Sequence, residues 1–345
     1  MTKIYADIPG CADHLKLLGS IEISNSLDDS IDYAIFHLPY PLLQDNDFRN
    51  RLSKVVKKCQ HVSILVSELH NETVKFIREH QHPKIIYFTC GFIKNSESKK
   101  WMDWLYRSSV FYKNNPQILD QLHPYSIKSK TFDILLGRSK PHRSIVYNYI
   151  KANDLDARVI MTYLKGHDDI PLQAQDQSGW LWEPGIVQLT NEFRWTVTPI
   201  RYHNTGMSLS QVVPISVYNQ TAYSVVAETN YDNHYSFFTE KIVKPILAER
   251  LFVVFSGQYY LRNLRDLGFK TFDGIIDETY DTIADHEQRF KLILDQMQYL
   301  FDQPQEEILT KIRPITEHNK RVMLETDWYG DFSKELRAVL LDHTN

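Results

Sequence analysis

The chain has 345 residues, 43% apolar and 24% charged, with a formal net charge of −4, enough for two domains with buried cores. That charge gives no global attraction to nucleic acid, which would need a local basic groove. No run approaches the roughly 18 apolar residues of a membrane span. The start, MTKIYADIPGCADHLK, lacks a basic segment followed by a long apolar stretch, so a soluble, unprocessed, cytoplasmic protein is expected. Cys11, Cys59 and Cys90 are an odd, widely spaced set, which points to neither a disulfide framework nor a thiolate zinc site. Asn71 and Asn219 fit the glycosylation sequon, which a cytosolic chain would not use.

The first 120 residues alternate apolar runs with helical patterns. Strands are predicted at 31–38 (IDYAIFHL), 61–67 (HVSILVS) and 84–89 (KIIYFT), and helices at 47–59 and 72–80. Such alternation argues for parallel strands with crossover helices. A helix is predicted to open at 98–112, where Trp101, Trp104 and Leu105 share a face that reads as core. Turn chemistry at Asn114-Asn115-Pro116 and His123-Pro124 precedes a strand at 132–136 (FDILL), and the domain boundary is placed there. The glycine and basic loop 137–143 leads to a helix near 144–152 and a strand at 158–163. Residues 168–205, rich in Trp, Pro, Asp and Gln, read as a long loop or insertion of the kind that carries substrate contacts. The acidic pairs Asp28-Asp29 and Asp168-Asp169 read as solvated turns rather than metal sites.

Strands resume at 223–227 and 251–255, separated by a helix over 239–249. Thr239 is placed to cap that helix, with Glu240 in its first turn and Lys241 beside it, so free backbone N–H groups and the dipole face the preceding loop. Pro245 is expected to bend this helix or make its first turn 3₁₀. Helical spacing dominates beyond 283. The expected architecture is α/β, with two Rossmann-like domains over 1–125 and 126–320 and a C-terminal helical segment over 321–345.

Two positive loops therefore follow strands of the second domain. Arg138, Lys140, His142 and Arg143 form one, and Thr239 to Lys241 the other. At the C-terminal edge of an open parallel sheet, two such loops can converge on one diphosphate. Neither contains G-x-x-x-x-G-K-[ST] or G-x-G-x-x-G, which argues against a Walker-type NTPase and a dinucleotide dehydrogenase.

Ala227-Glu228-Thr229-Asn230, followed by Tyr235-Ser236-Phe237-Phe238-Thr239-Glu240-Lys241-Ile242, resembles the donor-site signature of the family 10 fucosyltransferases, Phe-Glu-Asn, a gap, then Tyr-Val-Thr-Glu-Lys-Ile. The run 251–257 (LFVVFSG) is similar to that family's strand ending in glycine, and Pro141-His142-Arg143 to its Pro-x-Arg. The resemblance spans 131–275 and implies a GT-B-like glycosyltransferase acting with inversion on a nucleotide-diphosphate sugar, GDP-linked in preference. It implies that Arg143 and Lys241 neutralise the diphosphate, that Glu240 bonds the ribose, that Tyr235 lines the donor site, and that Glu228 faces the sugar or supports the loop. Arg138, His142, Asn230 and Thr239 complete the expected donor set. No metal or other cofactor is expected, because cationic side chains and a helix N-terminus can stabilise the leaving diphosphate.

The family's glutamate after a strand ending in Tyr-Thr-Gly has no counterpart here, where the stretch reads Tyr87-Phe88-Thr89-Cys90-Gly91-Phe92. Inverting transfer still needs a base. Glu68 and His70 after the strand HVSILVS, and His37 at the end of IDYAIFHL, occupy strand-end positions, and Glu68 is preferred. The expected partners are a nucleotide sugar and a carbohydrate or other hydroxyl acceptor. Two alternatives stand beside this reading: transfer to a modified nucleic-acid base, and a non-catalytic nucleotide-sugar-binding scaffold.

Overall fold

A computed structural model describes residues 3–6, 22–24, 26, 31, 33–38, 46–164, 200–202, 205–207 and 212–341. Cys11, both acidic pairs and residues 168–199 of the expected insertion lie outside them. Residues Ile200–Tyr202 and Thr205–Met207 pair as an antiparallel two-stranded ribbon. The chain divides into two compact units. One comprises Met1–Tyr106, His234–Phe237 and Asp327–Asn345, the other Arg107–Asn233 and Phe238–Thr326.

The first unit is built on strands β1 (Lys3–Ala6), β2 (Glu22–Ser24), β3 (Tyr33–Leu38), β4 (His61–Val66), β5 (Ile85–Thr89) and β6 (Lys99–Lys100). They lie in the order β2-β1-β3-β4-β5-β6, all parallel. Both faces are covered, which is why β3 and β4 read as near-continuous apolar runs rather than as alternation. Helices α1 (Asn46–Lys58) and α2 (Asn71–Glu79) bury Phe48, Leu52, Val55, Val74 and Ile77 with Phe36, Val62 and Ile64 of the sheet. On the other side Ile35, Leu65 and Phe88 meet Trp101 and, from the helix Trp328–Leu341, Phe332 and Leu336.

Trp101 and Leu105 are buried, as the core reading of that face requires. The helix itself starts later than expected, at Asp103. The Trp101 N–H donates to the carbonyl of Thr89 at 2.8 Å, which extends the β5–β6 pairing through that residue and delays the first helical turn.

The second unit carries β7 (Lys130–Arg138), β8 (Val159–Leu164), β9 (Thr221–Ala227) and β10 (Phe252–Phe255), parallel in the order β10-β9-β7-β8. Helix α3 (Pro141–Ala152) connects β7 to β8, and α4 (Glu240–Leu247) connects β9 to β10. From β7 the chain steps one way across the sheet and from β9 it steps the other way. Right-handed crossovers then place α3 and α4 on opposite faces. Their neighbours agree, since α3 packs with the helix His286–Asp302 and α4 with the helix Gln305–Glu325. The strand order therefore reverses between β7 and β9, and the ends of those two strands flank a crevice of the kind where open α/β sheets bind ligands.

The first turn of α4 is α-helical rather than 3₁₀, and Pro245 lies inside the helix. Pro245 forfeits only its own bond to the Lys241 carbonyl, while the Thr239 cap and buried Ile242, Val243, Ile246 and Leu247 hold the remaining turns.

Candidate functional site

At the reversal point the end of β7 is irregular, with its register against β8 slipping between Leu135 and Arg138. Such a bulge re-aims the chain as it leaves a sheet. Lys140 then stands at the N-cap of α3, with Pro141 opening the helix at the position where a missing N–H costs nothing. The Arg138 side chain lies outside the described atoms.

His142 and Arg143 point back under the end of β9 and are 0% and 5% exposed. His142 Nε2 meets the Glu228 carbonyl at 2.8 Å. A carbonyl only accepts, so Nε2 carries the hydrogen. Arg143 donates to the carbonyls of Glu228 at 3.1 Å and Ala227 at 3.4 Å. Lys140 Nζ donates to the Thr229 carbonyl. The first basic loop is thus tied to the second through backbone oxygens. Burial, reinforced by Arg143 and then by Lys140 and Lys241, lowers the His142 pKa to about 3. His142 is neutral near pH 7, which removes it from the positive cluster expected of this loop.

The β9 end is organised by Glu228, a carboxylate 1% exposed. Its Oε2 accepts from Thr239 Oγ1 at 2.7 Å and the Thr229 N–H at 3.2 Å, and its Oε1 from Tyr260 Oη at 2.8 Å and the Thr239 N–H at 3.3 Å. Burial raises its pKa, against the pull of Lys241 and these donors. With four donors around it, Glu228 supports the loop. Thr239 caps α4, its hydroxyl accepting from the Lys241 N–H at 3.3 Å.

Lys241 Nζ sits 2.7 Å from Glu240 Oε1 and within 3.4 Å of the Thr229 and Thr239 hydroxyls. Burial pushes the Glu240 carboxyl up, yet Lys241, Lys244 and its hydrogen bonds outweigh this and hold it below the usual range. Asn230 offers its backbone carbonyl to Ser256 Oγ at 3.3 Å. The loop passes so close to Gly257 that a Cβ there would lie 2.0 Å from the Asp232 carbonyl oxygen, so only glycine fits.

Sequence reasoning missed four members of this network. Tyr260 grips Glu228. Arg250 and Asp133 form a buried ion pair at 2.9 Å under β7 and β9, with Arg250 also donating to Ser224, Thr221, Tyr218 and Tyr223. Lys244 stands one turn beyond Lys241, a spacing readable as a shared helix face. Among the described side chains coupled here, five basic residues (Lys140, Arg143, Lys241, Lys244 and Arg250) stand with three acidic ones (Asp133, Glu228 and Glu240), a formal excess of two positive charges.

Three expected site residues belong to the other unit. Tyr235 is buried in a short antiparallel pairing of Tyr235–Phe237 with Gly91–Ile93. Glu68 follows β4, its Oε2 3.2 Å from His70 Nε2. His37 lies within β3, its ring edge-on to Trp101. Among the described residues no group of three or more His, Cys, Asp or Glu is arranged to hold a metal ion, and no helix is long and apolar enough to cross a membrane.

No family model matches the chain, and no curated protein matches it. Solved structures that match include an alpha,alpha-trehalose-phosphate synthase (UDP-forming) from Burkholderia vietnamiensis, a GT-B glycosyltransferase, at 13% identity and a TM-score of 0.39 over 97% of this chain and 71% of that one. A likeness that distant decides neither fold nor activity.

Proposed function

We propose that the second unit binds the diphosphate of a nucleotide sugar at the reversal between β7 and β9, and that the protein is a glycosyltransferase passing the sugar, with inversion, to a hydroxyl acceptor. The observation that carries this reading is the formal excess of two positive charges around the capped N-terminus of α4, opposite in sign and equal in size to the charge of a sugar nucleotide's diphosphate. Charge that develops on a leaving diphosphate needs donors already in place. Lys241 and the first N–H groups of α4 supply them on one side and Lys140 on the other, so the reading assigns no role to a metal. Glu240 is the acceptor for ribose hydroxyls in this scheme. The likeness of residues 227–242 to the fucosyltransferase signature favours a GDP-linked sugar and a carbohydrate acceptor. Glu68 is the base we assign to the acceptor hydroxyl.

A thermal-shift series with GDP, UDP, CMP and dTDP sugars tests the core of the proposal, since a ligand of the native state raises stability by mass action. GDP-linked donors should give the largest shift. No shift with any nucleotide would sink the reading.

A further inference from the structure

Beside α4, on the face of the sheet away from α3, lies a cavity of about 20 Å³ lined by Asp133, Tyr218, Ser224, Lys241 and Lys244, with the strand residues between. That is room for about one water-sized group. The floor is not a bare carboxylate: Asp133 Oδ1 accepts from Arg250 at 2.9 Å and from Ser224 Oγ at 2.7 Å. Two ammonium-bearing chains, Lys241 and Lys244, border the same space one helical turn apart. Lys241 already rests against Glu240. The Lys244 ammonium has no hydrogen-bond or ion-pair partner among the described residues.

Resting on the diphosphate reading above, we infer that Lys244 is a second ammonium for the sugar-linked phosphate, one anionic oxygen of which enters this cavity. A single phosphate held at the α4 N-terminus and Lys241 does not need it. A diphosphate, with its added charge, does. Lys244 is then the residue that makes the site prefer diphosphates to monophosphates. Burial and the neighbouring Lys241 hold its ammonium below the usual lysine range, a condition an arriving anion reverses.

The test measures calorimetric affinities of inorganic pyrophosphate, inorganic phosphate, and nucleoside di- and monophosphates for the full chain and its Lys244→Met and Lys244→Arg variants. Loss of one charge-assisted hydrogen bond predicts that Lys244→Met weakens pyrophosphate and the diphosphate by about 10- to 100-fold. Phosphate and the monophosphate should stay within about twofold, because the bond lost is made to the second phosphate alone. Lys244→Arg should recover most of the affinity, and Lys244→Gln gives the same readout as methionine should the apolar chain close the cavity. Equal loss for mono- and diphosphate, or no loss, overturns the inference while leaving the nucleotide reading standing. Pyrophosphate binding that depends on Lys244, without nucleotide binding, supports the anion seat and overturns the nucleotide reading instead. Binding of neither by the wild-type chain overturns both.

Discussion

His142 should make the stability of this protein depend on pH between about 6.5 and about 3. The unfolded imidazole takes up a proton near pH 6.5, whereas the folded one resists it down to about pH 3, because it is buried and faces Arg143, Lys140 and Lys241. Its folded pKa is lowered, so its contribution to stability is complete above the unfolded value and is lost as pH falls. Linkage puts the loss at about 2.5 kcal/mol between pH 7 and 4.5, with a slope approaching about 1.4 kcal/mol per pH unit. His142→Gln keeps a donor for the Glu228 carbonyl and removes the titration. Urea unfolding of both proteins at pH 7, 6, 5 and 4.5 isolates the histidine, since the carboxylates they share cancel in the difference. The variant should close on the wild type by about 2.5 kcal/mol across that range. Parallel pH profiles would show that His142 takes up its proton as readily in the folded chain as in the unfolded one, and would refute the lowered pKa assigned to it.

Lys241→Ala should weaken nucleoside diphosphate binding by about 1.5 to 3 kcal/mol with little change in unfolding midpoint, because the ammonium is partly exposed. Arg143→Ala should lower binding and also stability, since it strips the Ala227 and Glu228 carbonyls of a donor in a buried setting, and unaltered binding at both positions would separate the two loops from any common ligand. Asp133→Asn leaves the Arg250 guanidinium without its countercharge and should cost about 3 to 5 kcal/mol in chemical denaturation; a change below 1 kcal/mol would mean the pair is dispensable. Glu68→Gln should reduce turnover by about 100-fold or more with donor affinity unchanged, and undiminished turnover would remove Glu68 as the base.

The strands were legible wherever the sheet is buried on both faces, because runs as apolar as 64–66 and 252–255 suit only that setting. Thr239 was legible as a cap for a local reason, the contact being made within two residues. Glu228 was not, since its partners lie 1, 11 and 32 residues away and the choice between facing a sugar and bracing a loop depends on all of them. Arg143 reads as an anion ligand in sequence, yet its guanidinium meets carbonyls 84 and 85 residues downstream. Burial changes what a residue type means: the same histidine that looks cationic beside Arg143 on paper is neutral once water is excluded.

The two loops that flank the β7–β9 reversal are already bolted together, by His142, Arg143 and Lys140 on one side and by Glu228, Thr239 and Tyr260 on the other. Nothing in that arrangement has to close before an anion can be met. A visitor there should encounter donors that hold their positions in its absence, so little ordering entropy is lost on arrival. Association followed by stopped-flow should accordingly rise linearly with ligand concentration in one phase and slow steeply with added salt, the behaviour of a rigid charged seat rather than of a flap that folds down.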